Sequence, residues 1–403
     1  MEGDIIMISR PNYIKELIKF KDKDLIKVIT GIRRCGKSTL MDLYKNYLLQ
    51  NGIKEQQIIS INLEDLKYNF IKNYMELYNY ICEQIIPSEK NYIFIDEIQI
   101  IPEFQKVADS LYLNKNIDLY ITGSNANLLS SELSTLLTGR YIEIKMLPLS
   151  FKEFKSANEN NDLEELYQEY ISKGSFPYTT QLELDEVGKY LGSLYNDVII
   201  KDIMIRKSIS DESMLKSVAT FALDNVGNLL STNNISNTMT SCGRAINVRT
   251  VERYLDGFCE LFFLYKAKRY DIKGKQYLKT GEKYYVSDLG LRYFMLGRKL
   301  GDRGHILENV VYLELLRRGY DVYVGKIDEY EVDFVALNSN GRIYVQVCET
   351  LKDSENKILT RELNSLEKIS DNYEKIILTL DKMPISNENG IIVRNVLEWL
   401  IDE

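Results

Sequence analysis

One histidine, His305, serves a chain of 403 residues, and the five cysteines (Cys35, Cys82, Cys242, Cys259, Cys348) fall at no paired spacing. That scarcity excludes a zinc finger or ribbon, which needs its ligands in close pairs, and argues against a disulfide framework. Reduced thiols in a cytoplasmic setting are the expectation. No apolar run approaches the roughly 18 residues of a spanning helix, so no membrane segment is expected. The opening stretch MEGDIIMISRPNYIKELIKF has no basic segment leading into an apolar core and cleavage site, so it is not expected to be a secretory signal. A net charge of −8 excludes a general affinity for polyanions, so any nucleic-acid contact must come from a local patch. With only 6 prolines, 45% hydrophobic and 27% charged residues, the composition is that of a globular protein too long for one core.

What is present is concentrated in the first third. An apolar strand, Lys27–Thr30, runs straight into GIRRCGKST, and a helix follows from Ser38 to about Gln50 with Leu40, Leu43, Tyr44, Tyr47 and Leu48 on one face. Gly31-x-x-x-x-Gly36-Lys37-Ser38 is a complete Walker A pattern between a strand and a helix. Its glycines let the N–H groups of Gly31, Ile32, Arg33, Arg34, Cys35, Gly36, Lys37, Ser38 and Thr39 turn around phosphate oxygens. The helix N-terminus adds partial positive charge, Lys37 reaches the terminal phosphates, and the Ser38 hydroxyl is placed for Mg²⁺. The implied ligands are ATP and Mg²⁺.

A second strand, Asn91–Asp96 (NYIFID), ends in Asp96-Glu97. Two acids at a strand end often mark only where a strand meets water. After a Walker A loop, the pair reads as Walker B, with Asp96 holding the metal and Glu97 polarising the attacking water. A further strand, Asp118–Thr122, ends in Gly123-Ser124-Asn125. In ATPases with an extra strand between the Walker strands, a polar residue here sits between the water and the γ-phosphate. Ser124 and Asn125 are both candidates, and a plain turn also explains the tripeptide. A helix near Leu128–Leu137 then leads to Gly139-Arg140 and strand Tyr141–Met146. Arg140 stands where ring-forming ATPases offer an arginine to a neighbouring subunit, which would make a homo-oligomer. It reads equally as a surface arginine in a tight turn.

The segments VITGIRRCGKSTLM, ISINLED, IFIDEIQ, YITGSNANLLSSELSTLLTGRYIEI and LPLSFKEF resemble the N-terminal half of a widespread prokaryotic AAA+ ATPase family whose C-terminal domain is of unknown function. GSFPY (Gly174–Tyr178), Tyr195–Ile203 and YYVSDLGLR (Tyr284–Arg292) resemble that second half. The resemblance implies an α/β fold, a P-loop AAA+ parallel sheet of strand order 5-1-4-3-2 followed by a helical lid.

Four segments are expected: an ATPase core over 1–147, a helical lid over 148–208, a winged-helix domain over 209–300, and a small restriction-endonuclease-like α/β domain over 301–403. Helices over Met214–Val226, Thr232–Thr240 and Val248–Glu260, followed by strands Leu261–Lys268 and Lys283–Val286, read as a winged helix-turn-helix. Between Ser241 and Lys283 ten Lys/Arg face five Asp/Glu. Arg244, Arg249 and Arg253 lie on or before the recognition helix, and Arg269, Lys273 and Lys275 on the wing, a footprint suited to DNA phosphates. A winged helix used for packing, with solvated lysines, is the alternative.

The final portion runs helix, three strands, helix, strand, the order of a restriction-endonuclease core. Glu308 and Asp333 stand where two metal-binding acids belong. Gln346 and Cys348 replace the strand-borne acid and lysine, so nuclease activity is not expected. The reading is an Mg²⁺-dependent ATPase working as a conformational motor or switch on DNA. The alternatives are an ATP-regulated binding switch with slow turnover and, last, an ATP-dependent nuclease.

Overall fold

Short apolar runs alternating with amphipathic helices can bury both faces only as a parallel sheet between helical layers. The computed structural model has that arrangement, and describes residues 8–126, 137, 139–278, 281–297, 302–352 and 357–402. The chain divides into two compact units. The first runs to Pro148 and takes in Glu260–Phe262; the second comprises Leu149–Cys259 and Phe263–Glu403.

In the first unit, strands β1 (Ile26–Thr30), β2 (Ile58–Asn62), β3 (Asn91–Asp96), β4 (Ile117–Gly123) and β5 (Tyr141–Lys145) are all parallel, in the order β2-β3-β4-β1-β5. That is the order the resemblance implied. β1 and β3 are buried at every position, as central strands must be. Alternation along the strands sorts the packing. Ile93, Ile95, Leu119 and Ile121 face helices α3 (Tyr74–Cys82) and α4 (Gln105–Tyr112) through Leu77, Ile81, Val107 and Leu111. On the other face Phe94 and Tyr120 stack at 4.7 Å beneath Tyr44 of α2 (Lys37–Gln50). On α2, Leu40, Tyr44 and Leu48 are buried as expected, with Met41; Leu43 and Tyr47 are only half-buried. Helix α1 (Pro11–Phe20) precedes β1. The helix expected near Leu128–Leu137 lies almost wholly outside the described residues.

The second unit begins with helices α5 (Phe151–Ser156), α6 (Leu163–Lys173) and α7 (Leu184–Ser193), the last passing through a wide π-type turn, Leu194–Ile200, into α8 (Lys201–Lys207). These are the helices expected as a lid over 148–208, and they belong to the second unit. Next come α9 (Glu212–Asp224), β6 (Leu229–Leu230), α10 (Thr232–Ser241), α11 (Val248–Glu260) and β7 (Leu264–Ala267). The chain then makes two strands, β8 (Arg269–Asp271) and β9 (Gln276–Tyr277), before β10 (Glu282–Val286) returns to pair antiparallel with β6 and β7.

The hairpin expected from 261 to 286 is therefore no free wing. β8 pairs parallel with β11 (Asp321–Ile327) and so joins the C-terminal sheet. Helices α12 (Leu289–Leu296) and α13 (Arg303–Arg317) intervene between β10 and β11. After β11 follow β12 (Tyr330–Asn338), β13 (Gly341–Cys348), α14 (Lys357–Glu367), β14 (Glu374–Thr379), β15 (Ser386–Glu388), β16 (Ile391–Asn395) and α15 (Val396–Ile401). The sheet order is β15-β16-β14-β13-β12-β11-β8-β9. Because this sheet takes strands from both sides of residue 300, the expected boundary between 209–300 and 301–403 is bridged by backbone hydrogen bonds. The two other segments that carried the resemblance also meet. The buried Asp288 carboxylate accepts from the Ser175 N–H and hydroxyl while capping α12, and a Cβ on Gly290 would lie 2.6 Å from Gly174 Cα.

Candidate active site

Gly31 sits where only glycine fits: its φ is 154° and a Cβ would fall 2.1 Å from the Met146 carbonyl oxygen. That carbonyl follows β5, so the loop is pressed against the sheet edge at its first residue. Arg34 and Gly36 also take positive φ, 67° and 102°, which turns the loop around on itself. Arg10 holds the loop from the far side, donating to Cys35 O and Leu147 O. Cys35 is fully buried, and burial pushes its thiol pKa up, the setting of a packing residue.

Lys37 is 4% exposed and donates to Gly31 O (3.0 Å) and Ile32 O (3.3 Å), with Glu97 Oε1 3.7 Å away. Ser38 and Thr39 are exposed in the first turn of α2. The N-cap residue is Gly36, which has no side chain to cap that helix, so the N–H groups of its first turn remain a place for an anion. Asp96 accepts a hydrogen bond from Thr122 Oγ1, which in turn accepts from the Glu97 N–H at 2.9 Å. One hydroxyl on β4 thus orients both acids at the end of β3. Glu97 takes the left-handed conformation (φ 52°), which swings its carboxylate back over the sheet edge. Its Oε2 accepts from Ser124 Oγ at 3.2 Å and from Gln99 Nε2. Asn125 is buried beside Ser124.

The strand ends therefore bring together Lys37, Asp96, Glu97 and Ser124. Thr122 and Gln99 join them. Thr122 carried a readable signal, a hydroxyl at the last position of a strand read as adjacent to Walker B; Gln99 carried none. Arg140, expected to face a neighbouring subunit, pairs with Asp109 and lies over the Tyr112 ring at 5.3 Å in its own chain. The donor set suits a nucleotide with a hard divalent cation: uncapped N–H groups and a lysine for phosphate, a hydroxyl and a carboxylate for the ion.

Residues 23–155 match the family model of an AAA domain, and residues 164–301 that of a domain of unknown function (DUF8612). An uncharacterized protein of Haemophilus influenzae is 43% identical over 400 residues, covering 98% of this chain and 99% of its own. The chain belongs to this prokaryotic AAA-domain family of P-loop ATPases. An uncharacterized protein of Methanocaldococcus jannaschii, MJ1544, is 29% identical to this AAA-family chain over 397 residues, 91% of it and 86% of the relative. The Walker-type ATPase PABY2304 of Pyrococcus abyssi aligns structurally with a TM-score of 0.47 at 13% identity, over 72% of this chain and 95% of that one. Among the described residues, no helix is long and apolar enough to cross a membrane.

The second unit of the AAA-family chain carries a separate acidic cleft of about 450 Å³. Glu308 and Asp333 line it, as expected, with Gln346, Glu331, Arg361 and Glu362. A lysine does reach it, but from β10: Lys283, 4% exposed, lies 2.9 Å from Glu308 Oε1 and 2.8 Å from Glu331 Oε1. Burial alone would lower the Lys283 pKa; Glu308, Asp333 and Glu331 reverse this and hold it above its ordinary value. Burial would raise the Glu308 pKa, yet Lys283, His305 and Tyr285 keep it lowered. Asp333 is pushed well above its ordinary range by burial and by Glu308, while its Oδ2 accepts from the Val347 N–H at 2.8 Å. The Gln346 amide oxygen is taken by the Asp333 N–H. Cys348 lies in the adjacent apolar core, where burial lifts its pKa to about 12.

Among the described residues, no group of three or more His, Cys, Asp or Glu is placed to hold a metal ion. With an amide at Gln346 and a thiol at Cys348 in place of the acid and lysine of the nuclease pattern, the expected outcome is no Mg²⁺-dependent cleavage of DNA above background. Plasmid nicking by purified protein checks it, and cleavage that disappears in Asp333→Ala would instead assign nuclease activity to this cleft.

Proposed function

We propose that the chain hydrolyses ATP with Mg²⁺ and uses the cycle as a conformational motor or switch. The observation that supports this reading most directly is the meeting of Lys37, Glu97 and Ser124 within 4 Å contacts at one end of the parallel sheet, with Thr122 joining Asp96 to Glu97. Bound ATP and Mg²⁺ supply the scissile phosphoanhydride and the charge that offsets the phosphates. The loop N–H groups and the start of α2 receive phosphate oxygens. Lys37 leaves the Gly31 and Ile32 carbonyls and Glu97 for the phosphates. Ser38 and Asp96 would hold the ion, with Asp96 kept in place by Thr122. Glu97, released from Lys37, takes a proton from the attacking water, and Ser124, with Asn125 beside it, orients that water. Steady-state ATP turnover measured with and without DNA across protein concentration tests the reading; no turnover under any of these conditions would reject it.

DNA is the client this reading favours, because α9, α10 and α11 with the antiparallel strands β6, β10 and β7, a winged-helix arrangement interrupted by the β8–β9 excursion, leave Arg249 and Arg253 exposed on α11. Glu252 and Asp256 are exposed on the same helix, which limits its net charge. Other members of the expected basic footprint have partners. Arg244 is tied to Ser213 and Ser217 and Lys273 to Asp328, while Arg269 is withdrawn in another way, half-buried within β8. The interaction is therefore expected to centre on Arg249 and Arg253, with Lys275 accessory. Changing both arginines to Ala should weaken DNA binding and reduce the slope of log K against log salt by about 0.9 for each phosphate no longer neutralised. Undiminished affinity in a low-salt gel shift would make this segment a packing module.

A further inference from the structure

We infer that Arg33, a residue of the phosphate-binding loop, stabilises the charge that develops on the γ-phosphoryl group, and does so within its own chain. This rests on the ATP-hydrolysis reading above and adds a catalytic residue to it. Phosphoryl transfer asks the protein mainly for position and positive charge, since negative charge spreads over three phosphoryl oxygens as the bond to the leaving group breaks. The oxygen of the water bonds to the γ-phosphorus, and the bond from that phosphorus to the bridging oxygen breaks. Its electron pair leaves on ADP, and the proton of the water passes to Glu97. Lys37 is one cation beside this event. A planar guanidinium that can meet two phosphoryl oxygens at once is the natural second.

Arg33 is placed for that role. Its Nε lies 3.4 Å from Ser124 Oγ, Ser124 Oγ donates to Glu97 Oε2 at 3.2 Å, and Glu97 Oε1 lies 3.7 Å from Lys37 Nζ. A short chain of contacts therefore has a cation at each end and the water-activating carboxylate in the middle. Both cations are carried by the loop that receives the phosphates, two and six residues after Gly31. A terminal phosphoryl group that faces Glu97 from this loop is flanked by both of them. Arg34 is exposed and in a left-handed backbone, the next residue along the loop. Arg140, the arginine that a subunit-to-subunit mechanism would use, is engaged by Asp109 and Tyr112. A guanidinium is thus supplied without a second copy of the chain.

The test is ATP turnover by the full chain carrying Arg33→Ala or Arg33→Lys, with Glu97→Gln measured alongside. Arg33→Ala should lower kcat by about 10³-fold or more, the scale on which such arginines act. Affinity for ADP and for a non-hydrolysable ATP analogue should change far less. Arg33→Lys, which keeps the charge and loses the fork, should fall between the two. Mixing Arg33→Ala with Glu97→Gln chains, which retain Arg33, should not restore turnover. Near-parental kcat in Arg33→Ala, a loss confined to nucleotide affinity, or restoration on mixing would each overturn the assignment. If Glu97→Gln turns over at the parental rate, the hydrolysis reading itself has the wrong base. If Glu97→Gln is inactive and Arg33→Ala is normal, only Arg33 is misassigned.

Discussion

Glu97→Gln is expected to bind ATP normally and to turn it over about 10²- to 10⁴-fold more slowly, whereas Lys37→Ala is expected to lose the nucleotide itself. The amide keeps the size of the carboxylate and its place beside Ser124 and Gln99 but cannot accept a proton from water, so the loss falls on the chemical step. Lys37 acts earlier. Its ammonium, 4% exposed, neutralises Glu97 and fills the loop by donating to two of its carbonyls. Truncating one partner of a buried, hydrogen-bonded charge pair costs about 2–5 kcal/mol of binding, roughly 30- to 4,000-fold in Kd. Titration with a fluorescent ATP analogue and single-turnover hydrolysis separate the two defects. Parental turnover in Glu97→Gln would take the base role from this residue, and unchanged affinity in Lys37→Ala would take the phosphate from the lysine.

Why these two residues were legible and their helpers were not is a matter of distance along the chain. Walker A and Walker B are each written in one short segment, with glycines and acids at strand ends, where the fold needs them. Of the helpers, Ser124 alone could be placed, because β4 was readable as the strand beside β3; the Thr122 hydroxyl at the end of that strand went unread. Gln99 could not be placed, because its hydrogen bond to Glu97 depends on the left-handed turn at Glu97 and the single 3-10 turn that follows it. The excursion of β8 and β9 was hidden for another reason. Its partner strand, β11, lies far along the chain and pairs in parallel, and a three-residue strand has no periodicity to read. Lys283 in the acidic cleft is a third kind of miss. The nuclease pattern looks for lysine on β13, where Cys348 stands, and here a lysine enters from a strand of the neighbouring sheet.

One charge read as part of an apolar strand carries the largest stability effect. Lys27 and Asp118 have no exposed side-chain surface and pair across the interior of the first unit. Asp118 also accepts from Tyr120 Oη at 2.8 Å and from the Asp22 N–H at 2.9 Å, and Lys27 donates to Lys23 O at 3.1 Å. Asp118→Ala leaves a buried ammonium without its counter-charge, which costs about 3–5 kcal/mol. For a unit of this size that is a fall in Tm of roughly 6–20 °C. Burial already lowers the Lys27 pKa and Asp118 opposes that shift, so removing the carboxylate lowers it further. Between this depressed value and the ordinary lysine value of about 10.4, the unfolded chain binds more protons than the folded one, and stability rises with pH. The deficit of Asp118→Ala in nucleotide-free melts should therefore shrink as pH is raised toward the ordinary lysine value. Lys27→Met combined with Asp118→Leu should recover much of the loss, because no charge is left buried. A deficit that is independent of pH and persists in the double variant would place its origin in the Asp22 N–H and Tyr120 hydroxyl that have lost Asp118 as acceptor, and not in the lysine.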